Sequence, residues 1–181
     1  MVKFNKTSDY TVSGNDSLFF DTNVWLHIYG PIAKTRTKEQ QEYSSILRQA
    51  LSRNAVIFIT SQVISEYINV VLRMGFKSWK SQTGEINAQY KDDYRPTQHY
   101  LDTLQDAKDQ VNTILTTKIV QKLPDSFNSL SVGSIMNRMD SFCDYNDSYF
   151  IALCEKGTMT MVSDDADMKK IDCNISLISF K

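Results

Sequence analysis

The sequence predicts an α/β protein built on a parallel sheet. Three observations carry that prediction. The apolar run SLFF (17–20) leads into a short helical pattern, and AVIFIT (55–60) leads into a longer one. Nearer the carboxyl end a compact apolar helical stretch is followed by MTMVS (159–163), another strand-like run. The chain has 181 residues, enough for one core that buries roughly 70% of the extended-chain surface.

Taken in order, residues 1–17 are polar and lack periodicity, and read as a loose leader. The strand at 17–20 ends at Asp21, Thr22 and Asn23, which are capping residue types, and Val24, Trp25, Leu26 and Ile28 open a short helix. Over 37–53, Tyr43, Ile46, Leu47, Ala50 and Leu51 recur at helical spacing. AVIFIT is almost wholly apolar, as a strand buried on both faces would be. Ser61 then caps a helix whose stripe is Val63, Ile64, Tyr67, Ile68 and Val71.

The segment 75–96 interrupts the rhythm, mixing Trp79, Tyr90 and Tyr94 with Lys and Asp. Helical spacing returns over 97–123 through Leu101, Leu104, Ala107, Val111, Ile114 and Leu115, and ends before Pro124. Further helices are expected over 130–142 and from Asp147 through Cys154 to Gly157, with a last strand in NISLISF (174–180). There is no internal repeat or linker, so 18–181 reads as one domain.

Composition narrows the function classes. Twenty Lys and Arg against 21 Asp and Glu leave a net charge of -1. That argues against a protein that holds nucleic acid by a bulk positive field, although acids clustered at one site would mask basic patches elsewhere. Three cysteines without CxxC spacing suit a reducing, cytoplasmic setting. No apolar run approaches eighteen residues, and the amino-terminal segment lacks the apolar stretch of a secretory signal.

The placement of acids is more informative. Asp21 follows the first apolar strand, Glu66 lies within the helix after AVIFIT, Asp144 and Asp147 flank a helix start, and Asp164, Asp165 and Asp167 follow MTMVS. A parallel sheet gathers strand ends and helix starts along one edge, where ligands bind. Packed carboxylates would raise one another's pKa values unless a cation intervened. Oxygen ligands without paired His or Cys suit Mg²⁺ or Mn²⁺, one ion or two, and such sites handle phosphate esters. For any single acid, helix capping or a solvated face stands beside this reading. Capping does not explain Glu66, which sits inside its helix.

The segment FFDTNVWL (19–26) resembles the opening motif of the PIN domain family of nucleases, which includes toxin endoribonucleases of bacterial toxin–antitoxin systems. SQVISEY (61–67), NDSYFIALC (146–154) and MVSDDADM (161–168) resemble the family's later motifs in the same order. The resemblance implies a three-layer α/β/α sandwich with a central parallel sheet, and a Mg²⁺- or Mn²⁺-dependent hydrolase acting on RNA. It assigns Asp21, Glu66, Asp147 and Asp165 as catalytic, metal-binding acids. Asn23 and Ser163 become residues that orient them. Asp144, Asp164 and Asp167 are further candidates, and either Asp164 or Asp165 could be the acid that faces the metal.

The stretch of about 73–127 exceeds what a compact PIN domain needs. It reads either as a helical extension pinned by its aromatics or as a clamp in which they stack on bases. Lys34, Arg36, Lys38, Arg73, Lys77 and Lys80 are candidate RNA contacts, while Lys169, Lys170 and other charge runs read equally as solvated faces. The partners implied are RNA, a small antitoxin protein and a second copy through Trp25, Ile28 and Tyr29; no membrane is implied. The alternatives are a non-catalytic RNA-binding or scaffold module of the same fold, and a nuclease or phosphatase acting on DNA or small phosphate esters.

Overall fold

The structure, a computed structural model, describes residues 2–35, 37–124 and 126–181, without the side chains of 34 and 35. The described residues form a six-stranded, wholly parallel sheet flanked by helices. In chain order the strands are β1 (Lys3–Lys6), β2 (Ser17–Phe20), β3 (Val56–Ile59), β4 (Val120–Lys122), β5 (Thr160–Val162) and β6 (Ser176–Ser179), arranged β1-β6-β5-β2-β3-β4. The helices are α1 (Thr22–Tyr29), α2 (Lys38–Arg53), α3 (Ser61–Thr83), α4 (Gln98–Thr116), α5 (Val132–Arg138) and α6 (Tyr145–Gly157).

β2 is central, and its Leu18, Phe19 and Phe20 are fully buried between neighbours on both sides. After β2 the chain builds outward through β3 and β4 on one side, then returns to add β5 and β6 on the other. The strand order therefore reverses between β2 and β5, and a crevice opens at their carboxyl ends. Helices seal the sheet with most of the residues their spacing predicts, although Leu51 and Leu101 of the expected stripes are exposed. Tyr43, Ile46, Leu47 and Ala50 of α2 are buried, and Phe150 of α6 meets Phe19 with ring centroids 5.1 Å apart.

Four elements differ from the sequence expectation. The expected loose leader contributes β1, which pairs with β6, and Val12, which is fully buried. An edge strand is held by main-chain pairing and carries exposed side chains, so it leaves no apolar signature. The break expected at residue 75 is absent: α3 runs on to Thr83 and closes on Gly84 at φ 76°. The helix expected to reach 123 stops at Thr116, and Val120–Lys122 pairs with β3. The helix expected over 130–142 is confined to Val132–Arg138.

The aromatics of 75–96 fasten this outer region. Tyr94, in a π-helical turn over Tyr90–Tyr94, is fully buried and meets Phe76, Trp79, Tyr90 and Tyr100 at centroid separations of 5.2–5.7 Å. Trp25 is also fully buried and offers no surface to a second copy. The three cysteines are free and buried, and among the described residues no helix is long and apolar enough to cross a membrane.

Candidate active site

Each acid-bearing segment reaches the crevice for a local reason. Asp21 ends β2 and caps α1, and its backbone N–H still pairs with the Val162 carbonyl of the neighbouring strand at 3.0 Å. Its carboxylate is 7% exposed; one oxygen accepts from the Thr22 N–H at 2.6 Å and the other from the Ser163 hydroxyl at 2.8 Å. Glu66 lies in α3, which Thr60 caps through the Val63 N–H, and accepts from the Thr22 hydroxyl at 2.9 Å. Asp147 is the third residue of α6. It shares a capping box with Asp144, each carboxylate accepting from the other's N–H at 3.0–3.1 Å.

Asp21, Glu66, Asp144, Asp147 and Asp165 line one cavity of about 260 Å³ together with Thr22, Asn23 and Asn146. Among the described residues no Lys, Arg or His lines it. The electrostatic result is plain in two of the acids. Burial pushes the Asp21 carboxyl up to about 6; its bonds from Ser163 and Thr22 counter part of that rise, and Glu66 and Asp165 add to it. Burial pushes Asp147 up to about 7, against the Asp144 N–H and with the charges of Asp144, Asp21 and Asp165. Among the described residues no Lys or Arg is among the main influences that set either group.

Ser163 is the hub. Fully buried, it donates to Asp21 while accepting from the Asn23 amide at 3.4 Å and the Asp165 N–H at 3.1 Å. The other end of the Asn23 amide accepts from the Asp164 N–H at 2.9 Å. The two neighbouring acids thus part company. Asp165 lines the cavity and accepts from the Asp167 N–H at 2.8 Å. Asp164 is engaged by Tyr43 at 2.8 Å, Lys181 at 2.9 Å and His27 at 3.1 Å. Burial alone would raise Asp164, but those three donors outweigh it and hold the carboxyl at about 2. Asp167 pairs with Lys170 at 2.6 Å, and neither it nor Asp164 lines the acid cavity.

The basic candidates scatter. Arg73 is exposed and lines a second cavity that shares Glu66, Val70, Asp144 and Asn146 with the first. Lys77 and Lys38 are exposed, and Lys80 lies 5.3 Å from the Phe76 ring centroid. Lys169 lies over Phe4 at 3.8 Å and Lys170 over Phe142 at 4.3 Å. Arg36 and the side chain of Lys34 lie outside the described residues.

Sequence reasoning passed over Thr22, which ties Glu66 to the Asp21 turn, and Asn146, whose amide oxygen accepts from Gln62. Their membership in the same motifs was the available signal. Among the described residues no three Asp, Glu, His or Cys side chains converge closely enough to hold a metal ion as they stand. The donors lining the cavity are nevertheless all oxygen, and among the described residues the buried Asp21 and the half-buried Asp147 stand beside like charge with no cation lining the cavity. That chemistry fits a hard divalent cation.

Comparison with known proteins adds the lineage. The PIN domain family model matches residues 18–173. No curated protein matches the chain significantly. Among solved structures, a chain of VapBC2 from Rickettsia felis, crystallised bound to a DNA fragment from their promoter, superposes with a TM-score of 0.53. The match is 15% identical and covers 91% of this chain and 99% of that one.

Proposed function

The chain belongs to the PIN domain family, and from that premise we propose that it is a Mg²⁺- or Mn²⁺-dependent endoribonuclease, the toxin half of a toxin–antitoxin pair. One observation carries the reading: acids from four separate segments line a single cavity that no basic side chain enters among the described residues. Asp21, Glu66, Asp147 and Asp165 would hold one or two ions. The cation supplies charge neutralisation at the phosphoryl oxygens and a more acidic water.

The protein's own part is positioning. Ser163 and the Thr22 N–H fix both oxygens of Asp21, the Thr22 hydroxyl fixes Glu66, and Asn23 locks the Ser163 hub. Water attacks phosphorus in line and the 3′ oxygen leaves, giving a 3′-hydroxyl and a 5′-phosphate. Cyclisation through the 2′-hydroxyl needs a paired general acid and base, commonly histidines. His27 is committed to Asp164 and His99 to Tyr94, so neither stands at the cavity.

A small protein that covers the acid cavity with a cationic side chain is the partner this reading implies. The likeness in fold to a VapBC2 chain supports it. A metal titration of RNA cleavage tests the whole. Cleavage should appear with Mg²⁺ or Mn²⁺, vanish with chelator and vanish in Asp21→Asn; full activity in Asp21→Asn would sink the mechanism. RNA binding without cleavage in either metal would instead mark a non-catalytic binding module, and a preference for DNA would change the substrate.

A further inference from the structure

The crevice does not end at the acids. The second cavity, of about 540 Å³, shares Gln62 with a third of about 260 Å³. One side of this third cavity is aromatic. Tyr145 and Tyr149 stack at a centroid separation of 6.2 Å and an interplanar angle of 17°, and Phe127 stands beside them half exposed. The remaining lining includes Thr60, Ser61 and Gln62, which bring hydroxyl and amide groups.

Two placements bind this pocket to the acid site. Tyr145 is the first residue of α6 and Asp147 the third, so the aromatic wall and a cavity acid are fixed on the same helical turn. The Gln62 amide donates to Asn146, a residue of the acid cavity, and so bridges the two openings. Tyr94, the central aromatic of the outer helical region, is fully buried and offers no face to a base.

We propose that this third pocket receives one unpaired nucleobase of a single strand whose backbone runs past the acid cavity. An apolar ring face and hydrogen-bonding groups within one small cavity are what a splayed base requires: a surface to stack on and partners for its edge. The need is also quantitative. The net charge is -1 and among the described residues the acid cavity has no basic lining, so a general positive field supplies little affinity and base contacts supply more of it. Stacking on one aromatic side chain is worth about tenfold in affinity per base.

The inference rests on the nuclease reading for the direction of the strand, and the test separates the two. Short single-stranded oligonucleotides, ribo and deoxyribo, each carrying one abasic position, are bound by the metal-free protein and cleaved in Mn²⁺. One abasic position should weaken binding and raise KM about tenfold in the unaltered protein. Tyr145→Leu and Phe127→Leu should erase that penalty, and Tyr145→Phe should restore it. A retained Mn²⁺-induced rise in Tm shows that the variants keep their fold. An equal penalty at every position, a penalty that survives Tyr145→Leu, or duplex binding as tight as single-strand binding overturns the pocket. Absence of cleavage with the position-specific binding penalty intact overturns the nuclease reading alone.

Discussion

Asp21 shows how one residue carries both the cost and the use of the site. Its carboxyl stands at about 6 in the folded chain against an ordinary 3.8, a difference worth about 3 kcal/mol. A carboxyl raised on folding contributes stability below its unfolded pKa, and that contribution is lost as pH rises through the folded value. Asp147, raised to about 7, acts in the same direction. Asp164 acts oppositely, but its window lies between about 2 and 4, far from neutrality. The metal-free protein should therefore melt lower at pH 8 than at pH 5, by about 5–10 °C with the half-exposed Asp147 discounted for solvent screening. Mn²⁺ should raise Tm more at pH 8 than at pH 5, and Asp21→Asn should raise the metal-free Tm at pH 8 while abolishing that response. An equal response at both pH values would show that these carboxyls do not take the ion. Ser163 gives a sharper probe. Ser163→Ala removes the donor to Asp21 and strands the Asn23 amide and the Asp165 N–H, which should cost about 1–3 kcal/mol in urea unfolding. Because the hydroxyl lowers Asp21, its loss should also move the acidic limb of the cleavage pH profile upward. An unmoved limb would reduce Ser163 to packing.

At the scale of elements, Gly75 shows how the outer helices are held to the core. A glycine in mid-helix costs about 1 kcal/mol relative to Ala, yet α3 runs through it. Here it lets α4 and the Tyr90–Tyr94 turn close on α3: a Cβ at 75 would lie 2.6 Å from the Tyr94 hydroxyl and 2.7 Å from Thr103. Gly75→Ala should therefore destabilise by about 1–3 kcal/mol despite its better helix propensity. Cleavage per folded molecule should survive, as unfolding curves and active-site titration would show; stabilisation would mean that the helices are free to part. The same logic separates legible from illegible elements. β2, α2 and α6 bury whole runs or stripes, β3 buries Ile57 and Ile59 with Phe58 partly covered, and their residue patterns announce them. β1 and β4 hold on by four and three residues of main-chain pairing with largely exposed side chains, too little for any periodicity. At the site, the edge shared by strand ends and helix starts pointed to a cluster of acids and the family resemblance singled out Asp21, Glu66, Asp147 and Asp165, which line one cavity together with Asp144. That Asp164 turns away was not, since Tyr43, His27 and Lys181 come to it from three distant places in the sequence.

For the whole molecule the net charge of -1 is the sum of an acid cavity and dispersed cations, and the distribution matters more than the total. Among the described residues Arg73 is the cation that lines an opening continuous with the acids. Each phosphate neutralised by the protein adds about 0.7 to the salt slope of single-strand binding. With one or two such contacts, raising salt from 50 to 200 mM should increase KM for a single-stranded RNA only about 3- to 7-fold in Mn²⁺. Arg73→Ala should raise KM and flatten that dependence by about one contact. The metal requirement should persist in the variant, because the proposed reading gives the ion to carboxylates and not to Arg73. A hundredfold rise with salt would instead mean that Lys38, Lys77 and other surface cations grip the strand collectively. The near-neutral chain would then bind nucleic acid by a field its composition conceals, and the aromatic pocket would matter less than the charges around it.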